Sequence, residues 1–152
     1  MAASRVEPGF EEKLLADRNA IHGLAPDLSR VLVVGNSQIN RIVVARIVER
    51  CGLRPVSEPP ASALRVLPLV FPGLVILDGG PDNSDCDSMV AGVMALRRVS
   101  GGKSPAVILL SNRTGAPVGA SLESIADALV TKPFTTEQLQ PVVERLVRGA
   151  IG

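Results

Sequence analysis

Residues 73–81 read GLVILDGGP. Leu74 to Leu77 form an aliphatic run, and Asp78 closes it with a carboxylate. Two glycines and a proline follow at once. A short apolar run bounded by turn residues predicts a strand covered on both faces. Such a strand ends at the surface, so Asp78 stands at its tip beside a loop with few side chains to crowd it.

The rest of the chain repeats the theme. RVLVV (30–34) is another aliphatic strand, interrupted by Gly35, Asn36 and Ser37. QINRIVVARIVERCG then shows a helical period, with Val43, Val44, Ile47, Val48 and Cys51 on one side and Gly52 as the stop. LRPVS (53–57) is a strand weakened by Pro55, so it belongs at an edge. PASALRVLPLVF is a helix burdened by Pro68. Residues 87–99 predict a helix, 105–111 a strand, 116–126 a short helix with glycine in it, and 127–131 a strand. The closing stretch TTEQLQPVVERLVRG places Leu139, Val142, Val143 and Leu146 at helical spacing. Thr135 and Gln138 have capping-box spacing, and Pro141 predicts a kink or a late start. Strands alternating with helices imply an α/β fold with a five-stranded parallel sheet covered on both faces.

Composition narrows the classes. Aromatic residues are 2% of the chain against 46% hydrophobic overall, so the core must be aliphatic. A net charge of +1 gives no electrostatic case for nucleic acid. No apolar run reaches the roughly 18 residues a membrane span needs, and the N-terminus lacks a signal-peptide core, so a cytoplasmic protein is expected. Cys51 and Cys86 have no metal-ligand spacing; Cys51 reads as a core residue, and Cys86, in a polar loop, reads as exposed. Residues 1–29 form an N-terminal extension in which Phe10, Leu14, Leu15 and Ile21 mark one side of a short helix, and His22 reads as a surface residue. Residues 30–152 form the single domain.

Parallel sheets gather their functional groups at the carboxyl ends of the strands. That edge receives Asn36 from the first strand, Asp78 from the third, Ser111 and Asn112 from the fourth, and Lys132 followed by Pro133 from the fifth. An acid, a hydroxyl and an ammonium group in one crevice suit a nucleophilic carboxylate. The hydroxyl would donate to an oxyanion, and the ammonium would pair with the acid or with a phosphoryl group on it. Proline after Lys132 suggests a cis peptide bond that aims the lysine.

In this ordered set the sequence resembles the receiver domains of two-component response regulators. The fragments that carry the resemblance are RVLVV followed by Asn40-Arg41, LVILD after Pro72-Gly73, AVILLS after Pro105, and TKPF with VVERL after it. The resemblance covers roughly Ser29 to Gly149. The resemblance implies the flavodoxin-like (βα)5 receiver fold. It also implies Asp78 as phosphoacceptor, Ser111 as the hydroxyl that follows the phosphoryl group, and Lys132 as its salt-bridge partner. A histidine kinase or phosphotransfer protein would be the donor. A downstream protein would bind the face made by the fourth helix, fifth strand and fifth helix. Nothing follows the last helix except Gly149 to Gly152, which suggests a stand-alone domain whose output is protein binding. A homodimer through the extension is left open.

The sequence departs from the receiver pattern where two acids should follow the first strand: Gly35 and Asn36 stand there. The remaining candidate Mg²⁺ ligands are Asp78, the Asn36 amide and the Gly80 carbonyl. An amide in place of a carboxylate removes several kcal/mol of close-range attraction, so Mg²⁺ binding should be weak or absent. Restoring acids at positions 35 and 36 should then rescue it. Leu129 replaces an aromatic residue common in the fifth strand, and Pro81-Asp82 shifts the usual Met-Pro by one. Asp82, Asp85 and Asp87 read as a solvated loop, with Asp87 or Ser84 capping the next helix. The alternative to a phosphorylated switch is therefore a pseudo-receiver, a binding module that works without phosphorylation or Mg²⁺. An enzyme is not expected, since no glycine-rich phosphate loop is present.

Overall fold

The aliphatic runs form the middle of a sheet, and amphipathic helices close over both its faces. The structure is a computed structural model that describes residues 25–151. The elements are β1 (Asp27–Val34), α1 (Gln38–Arg50), β2 (Arg54–Glu58), α2 (Pro60–Val70), β3 (Pro72–Asp78), α3 (Val90–Val99), β4 (Ala106–Asn112), α4 (Ala120–Ile125), β5 (Ala128–Lys132) and α5 (Thr136–Ile151). All strands pair in parallel in the order β2-β1-β3-β4-β5. Chain order therefore reverses between β1 and β3, where open α/β sheets form their crevice.

Alternation along the strands sorts the core into two layers. Leu32, Val34, Val75, Leu77, Val107 and Leu109 face α2, α3 and α4, where Leu67, Val93, Leu96 and Leu122 meet them. Val31, Val33, Leu74, Ile76, Ile108 and Leu110 face the other way, against Val44, Ile47 and Val48 of α1 and Leu139 and Val143 of α5. Every residue of β3 is buried, as a central strand requires. Each fully buried aliphatic side chain contributes about 1.5–3 kcal/mol.

Several boundaries differ from the sequence reading. β1 starts at Asp27 rather than Arg30, because Asp27 bonds to the Phe71 carbonyl and its carboxylate accepts from Ser29 and Arg54. The domain thus takes in residues assigned to the extension. The rest of that assignment, including the helix around Leu14 and the surface position of His22, lies outside the described residues. β2 is the outer strand, with Pro55 beside Val31. α2 carries Pro60 in its first turn and tolerates Pro68 in its last. α3 starts late, preceded by a 3₁₀ turn at Asp87–Met89. Neither Asp87 nor Ser84 caps it by a side chain; Ser84 offers its backbone carbonyl to the Asp87 N–H instead. α5 does not start late: it begins at Thr136, Pro141 lies inside it, and the Gln138 side chain accepts from the Thr135 N–H at 2.8 Å.

A single guanidinium fastens the edge opposite Asp78. Arg97 of α3 donates to the Pro105 carbonyl, to the Ile125 carbonyl at the end of α4, and to the Asp127 carboxylate.

Candidate functional site

Alternation decides which strand-end side chains meet. Asp78 follows Leu74 and Ile76 on the α1–α5 face. Asn112 follows Ile108 and Leu110 on that face and stands beside Lys132 in the sheet. The Lys132 ammonium forms a salt bridge with Asp78 Oδ1. The Gly80 N–H also donates to Oδ1, at 3.0 Å, and the Asn40 amide donates to Oδ2 at 3.0 Å. Asp78 is 6% exposed, so this carboxylate is buried with both oxygens occupied by donors of the chain itself.

The pair opens on a cavity of about 410 Å³ lined by Asn36, Ser37, Asn40, Asp78, Gly80, Pro81, Asp85, Asn112 and Lys132. The structure therefore brings Asp78, Lys132, Asn36 and Gly80 together. It does not put Ser111 on the cavity wall. Ser111 follows Val107 and Leu109, so it lies on the opposite face of the sheet from Asp78 and is buried there. Asn112, one residue on, takes the wall position.

Three further residues complete the site. Asn40 reaches Asp78 because Ser37 caps α1, its hydroxyl accepting from the Asn40 N–H, which places residue 40 in the first turn above β3. Asp85, expected in a solvated loop, lines the cavity half-buried; Asp82 and Asp87 are exposed. Gly80 makes room for that carboxylate: it has a left-handed φ of +74°, and a Cβ there would lie 2.0 Å from Asp85 Oδ2. Asn83, itself left-handed and buried, ties the Asp78 loop to the loop after β4. Its amide donates to the Asn112 and Ala116 carbonyls, and its oxygen accepts from the Asn112 N–H at 2.7 Å. Asparagine tolerates that backbone region, which is the one sequence signal that marks it.

Cys86 is not exposed. The 3₁₀ turn folds it wholly into the α2–α3 layer, with its Sγ donating to the Asp78 carbonyl at 3.2 Å. Burial first, and the Asp78 charge second, push its thiol up from 9.0 to about 12. Maleimide should therefore leave Cys86 unlabelled in the native protein. Between pH 9 and 12 the unfolded thiol ionises while the folded one stays protonated, so the unfolded state binds fewer protons and stability falls with rising pH. The expected slope is about 1.4 kcal/mol per pH unit, and Cys86→Ala should flatten it. An unchanged slope in that variant would place the alkaline loss elsewhere.

The acids on the cavity wall are Asp78 and Asp85, and the end of β1 adds none. Mg²⁺ wants hard oxygen ligands and usually takes one or two carboxylates with waters and phosphate oxygens. Here the buried carboxylate is already paired with an ammonium group, and position 35 has no room for an acid. A Cβ on Gly35 would meet Asp78 Cβ at 2.9 Å, closer than side chains approach. Among the described residues no group of three or more acidic, histidine or cysteine side chains is placed to hold a metal.

No protein-family model matches the sequence, and no curated protein matches it. Solved structures do. A CheY-like response regulator receiver domain protein from Methanospirillum hungatei superposes with a TM-score of 0.63 at 21% identity, over 82% of this chain and 98% of that one. A CheY-like receiver domain from Methylobacillus flagellatus gives 0.61 at 18% identity, over 79% and 99%. The match to NtrX from Brucella abortus, at 0.62 and 23% identity, covers 80% of this chain but only 26% of that longer one. Among the described residues no helix is long and apolar enough to cross a membrane. The sheet order, the two helical layers and these superpositions agree: the described chain has the fold of the response-regulator receiver domains.

Proposed function

We propose that this chain is a signalling module of receiver type that acts by binding other proteins, with Asp78 and Lys132 as a standing ion pair rather than a phosphorylation site. One observation carries the reading. Both oxygens of the buried Asp78 carboxylate are held by Lys132, Gly80 and Asn40, in a pocket that takes no acid from the end of β1, where Gly35 and Asn36 stand, and whose one other carboxylate is Asp85. A nucleophilic carboxylate must expose a lone pair and have cations to offset incoming charge. Here the ammonium is paired with the resting acid, and the end of β1 brings no carboxylate to hold a second cation beside it. Partner contact on the face of α4, β5 and α5, where Leu129 is 52% exposed, belongs to the same reading.

A second reading, phosphoryl transfer to Asp78 from a histidine kinase or phosphotransfer protein, draws on the cavity beside the acid, which has room for a phosphoryl group. Mass spectrometry after incubation with acetyl phosphate and saturating Mg²⁺ separates the two. The standing pair predicts no phosphoryl mass increment and unmoved Gly80, Asn112 and Lys132 amide signals under beryllofluoride. A mass increment that Asp78→Asn abolishes would establish the second reading. Restoring acids needs care. Asn36→Asp adds a carboxylate at the cavity wall, whereas Gly35→Asp pushes Asp78 aside and should weaken any metal response.

A further inference from the structure

Helix α1 leaves an apolar stripe uncovered. Ile39 is 74% exposed, Ile42 48% and Val43 46%, although the same helix buries Val44, Ile47 and Val48. The stripe continues into two exposed arginines, Arg46 and Arg50. Positions 39, 43, 46 and 50 thus run along one helix face as Ile, Val, Arg and Arg.

The N-terminal extension carries the complement at the same spacing. Positions 10, 14, 17 and 21 are Phe, Leu, Asp and Ile. Laid alongside, Phe10 would meet Ile39, Leu14 would meet Val43 and Ile42, Asp17 would meet Arg46, and Ile21 would meet the aliphatic stem of Arg50. The charges around the stripes are opposite too. Glu7, Glu11, Glu12 and Asp17 outnumber Lys13 and Arg18, while Arg41, Arg46 and Arg50 outnumber Glu49. We propose that residues 10–21 form an amphipathic helix that packs on the Ile39–Val43–Arg46 stripe of α1 in the same chain.

The route of the chain allows this and sets the direction. β1 starts at Asp27, whose carboxylate is bonded to Arg54, just past the C-terminal turn of α1. The extension therefore enters beside the end of α1. A helix that finishes there at Ile21 runs parallel to α1, which is the direction the residue matching needs. The six residues from His22 to Asp27 span up to about 20 Å, enough to make the connection. Thirteen residues of α1 and twelve of the extension have similar helical lengths of about 20 Å. Because the two are tethered, the effective concentration is in the millimolar range, so a small apolar contact suffices. A partner that engages α1 must then displace this helix. The proposal does not depend on whether Asp78 accepts a phosphoryl group.

The chain has no tryptophan or tyrosine, so one indole is a clean reporter. Phe10→Trp in the full chain should give blue-shifted emission and shielding from iodide. Adding Val43→Asp, or separately Ile39→Asp, should shift the emission to the red and raise iodide quenching severalfold, with unchanged far-UV circular dichroism. Asp17→Arg should loosen the contact, and Arg46→Asp in the same chain should restore it. A red, freely quenched indole in Phe10→Trp itself overturns the proposal, as does shielding that survives both aspartate variants. Shielding that is lost on dilution, together with a dimer in sedimentation, assigns the surface to the extension of a second copy and likewise overturns it.

Discussion

Lys132→Met should lower the unfolding free energy at neutral pH by about 3 kcal/mol, and Asp78→Asn in the same chain should return much of that loss. The asymmetry comes from where the charges sit. The Asp78 side chain is 8% exposed and that of Lys132 19%. Removing the ammonium leaves a buried carboxylate at the strand tip, above the aliphatic layer between α1 and α5, with only the Gly80 and Asn40 donors. The cost falls at the low end of the range for buried pairs because Lys132 keeps some water. In the double variant no uncompensated charge remains. Urea unfolding followed by circular dichroism measures all three proteins. If Lys132→Met costs less than about 1 kcal/mol, or the double variant is weaker than the single one, the ion pair is a surface contact in effect and the argument for a standing pair fails.

The second large effect is expected at Asn83. Asn83→Ala removes all three side-chain hydrogen bonds that join the loop after β3 to the loop after β4. It leaves the Asn112 N–H without its partner and adds the strain of an alanine at φ +60°. Together these should cost about 3 kcal/mol. Asn83→Gly separates the two causes, since glycine accepts the backbone angle and still loses the bonds; it should recover roughly 1 kcal/mol of the loss. Equal stability in the alanine and glycine variants would show that backbone strain is no part of the cost. Asn112 and Ala116 amide shifts should move in both variants, since both loops lose their tie.

Much of this architecture can be read from residue patterns, and the limits are physical. The all-aliphatic runs of β1 and β3 mark central strands because both faces need covering, and Pro55 marks an edge because it offers no N–H. Thr135 and Gln138 mark the start of α5 because the capping bond is local. What stayed hidden was set by tertiary contact. Cys86 reads as exposed among aspartates, yet a 3₁₀ turn rotates it under the sheet. Asp85 reads as solvated, yet the absence of a side chain on Gly80 lets its carboxylate fold onto the cavity. Asn40 belonged to a fragment of the receiver resemblance, yet nothing local tied its amide to Asp78; the Ser37 cap that places it is seen in the structure. The side of the sheet taken by Ser111 was available in principle. Counting alternately from Val107 separates it from Asp78 and brings Asn112 round instead.

The two ties on α4 bear on how that part of the molecule opens. A helix of six residues has almost no stability of its own. Here Asn83 holds the approach to it at Ala116, and Arg97 holds its last carbonyl at Ile125. Fraying from one terminus is therefore blocked at each side. Amide hydrogens in 120–126 should exchange as one cooperative unit with those of the loops that supply the ties, so a ligand that loosens either tie would release the whole segment at once.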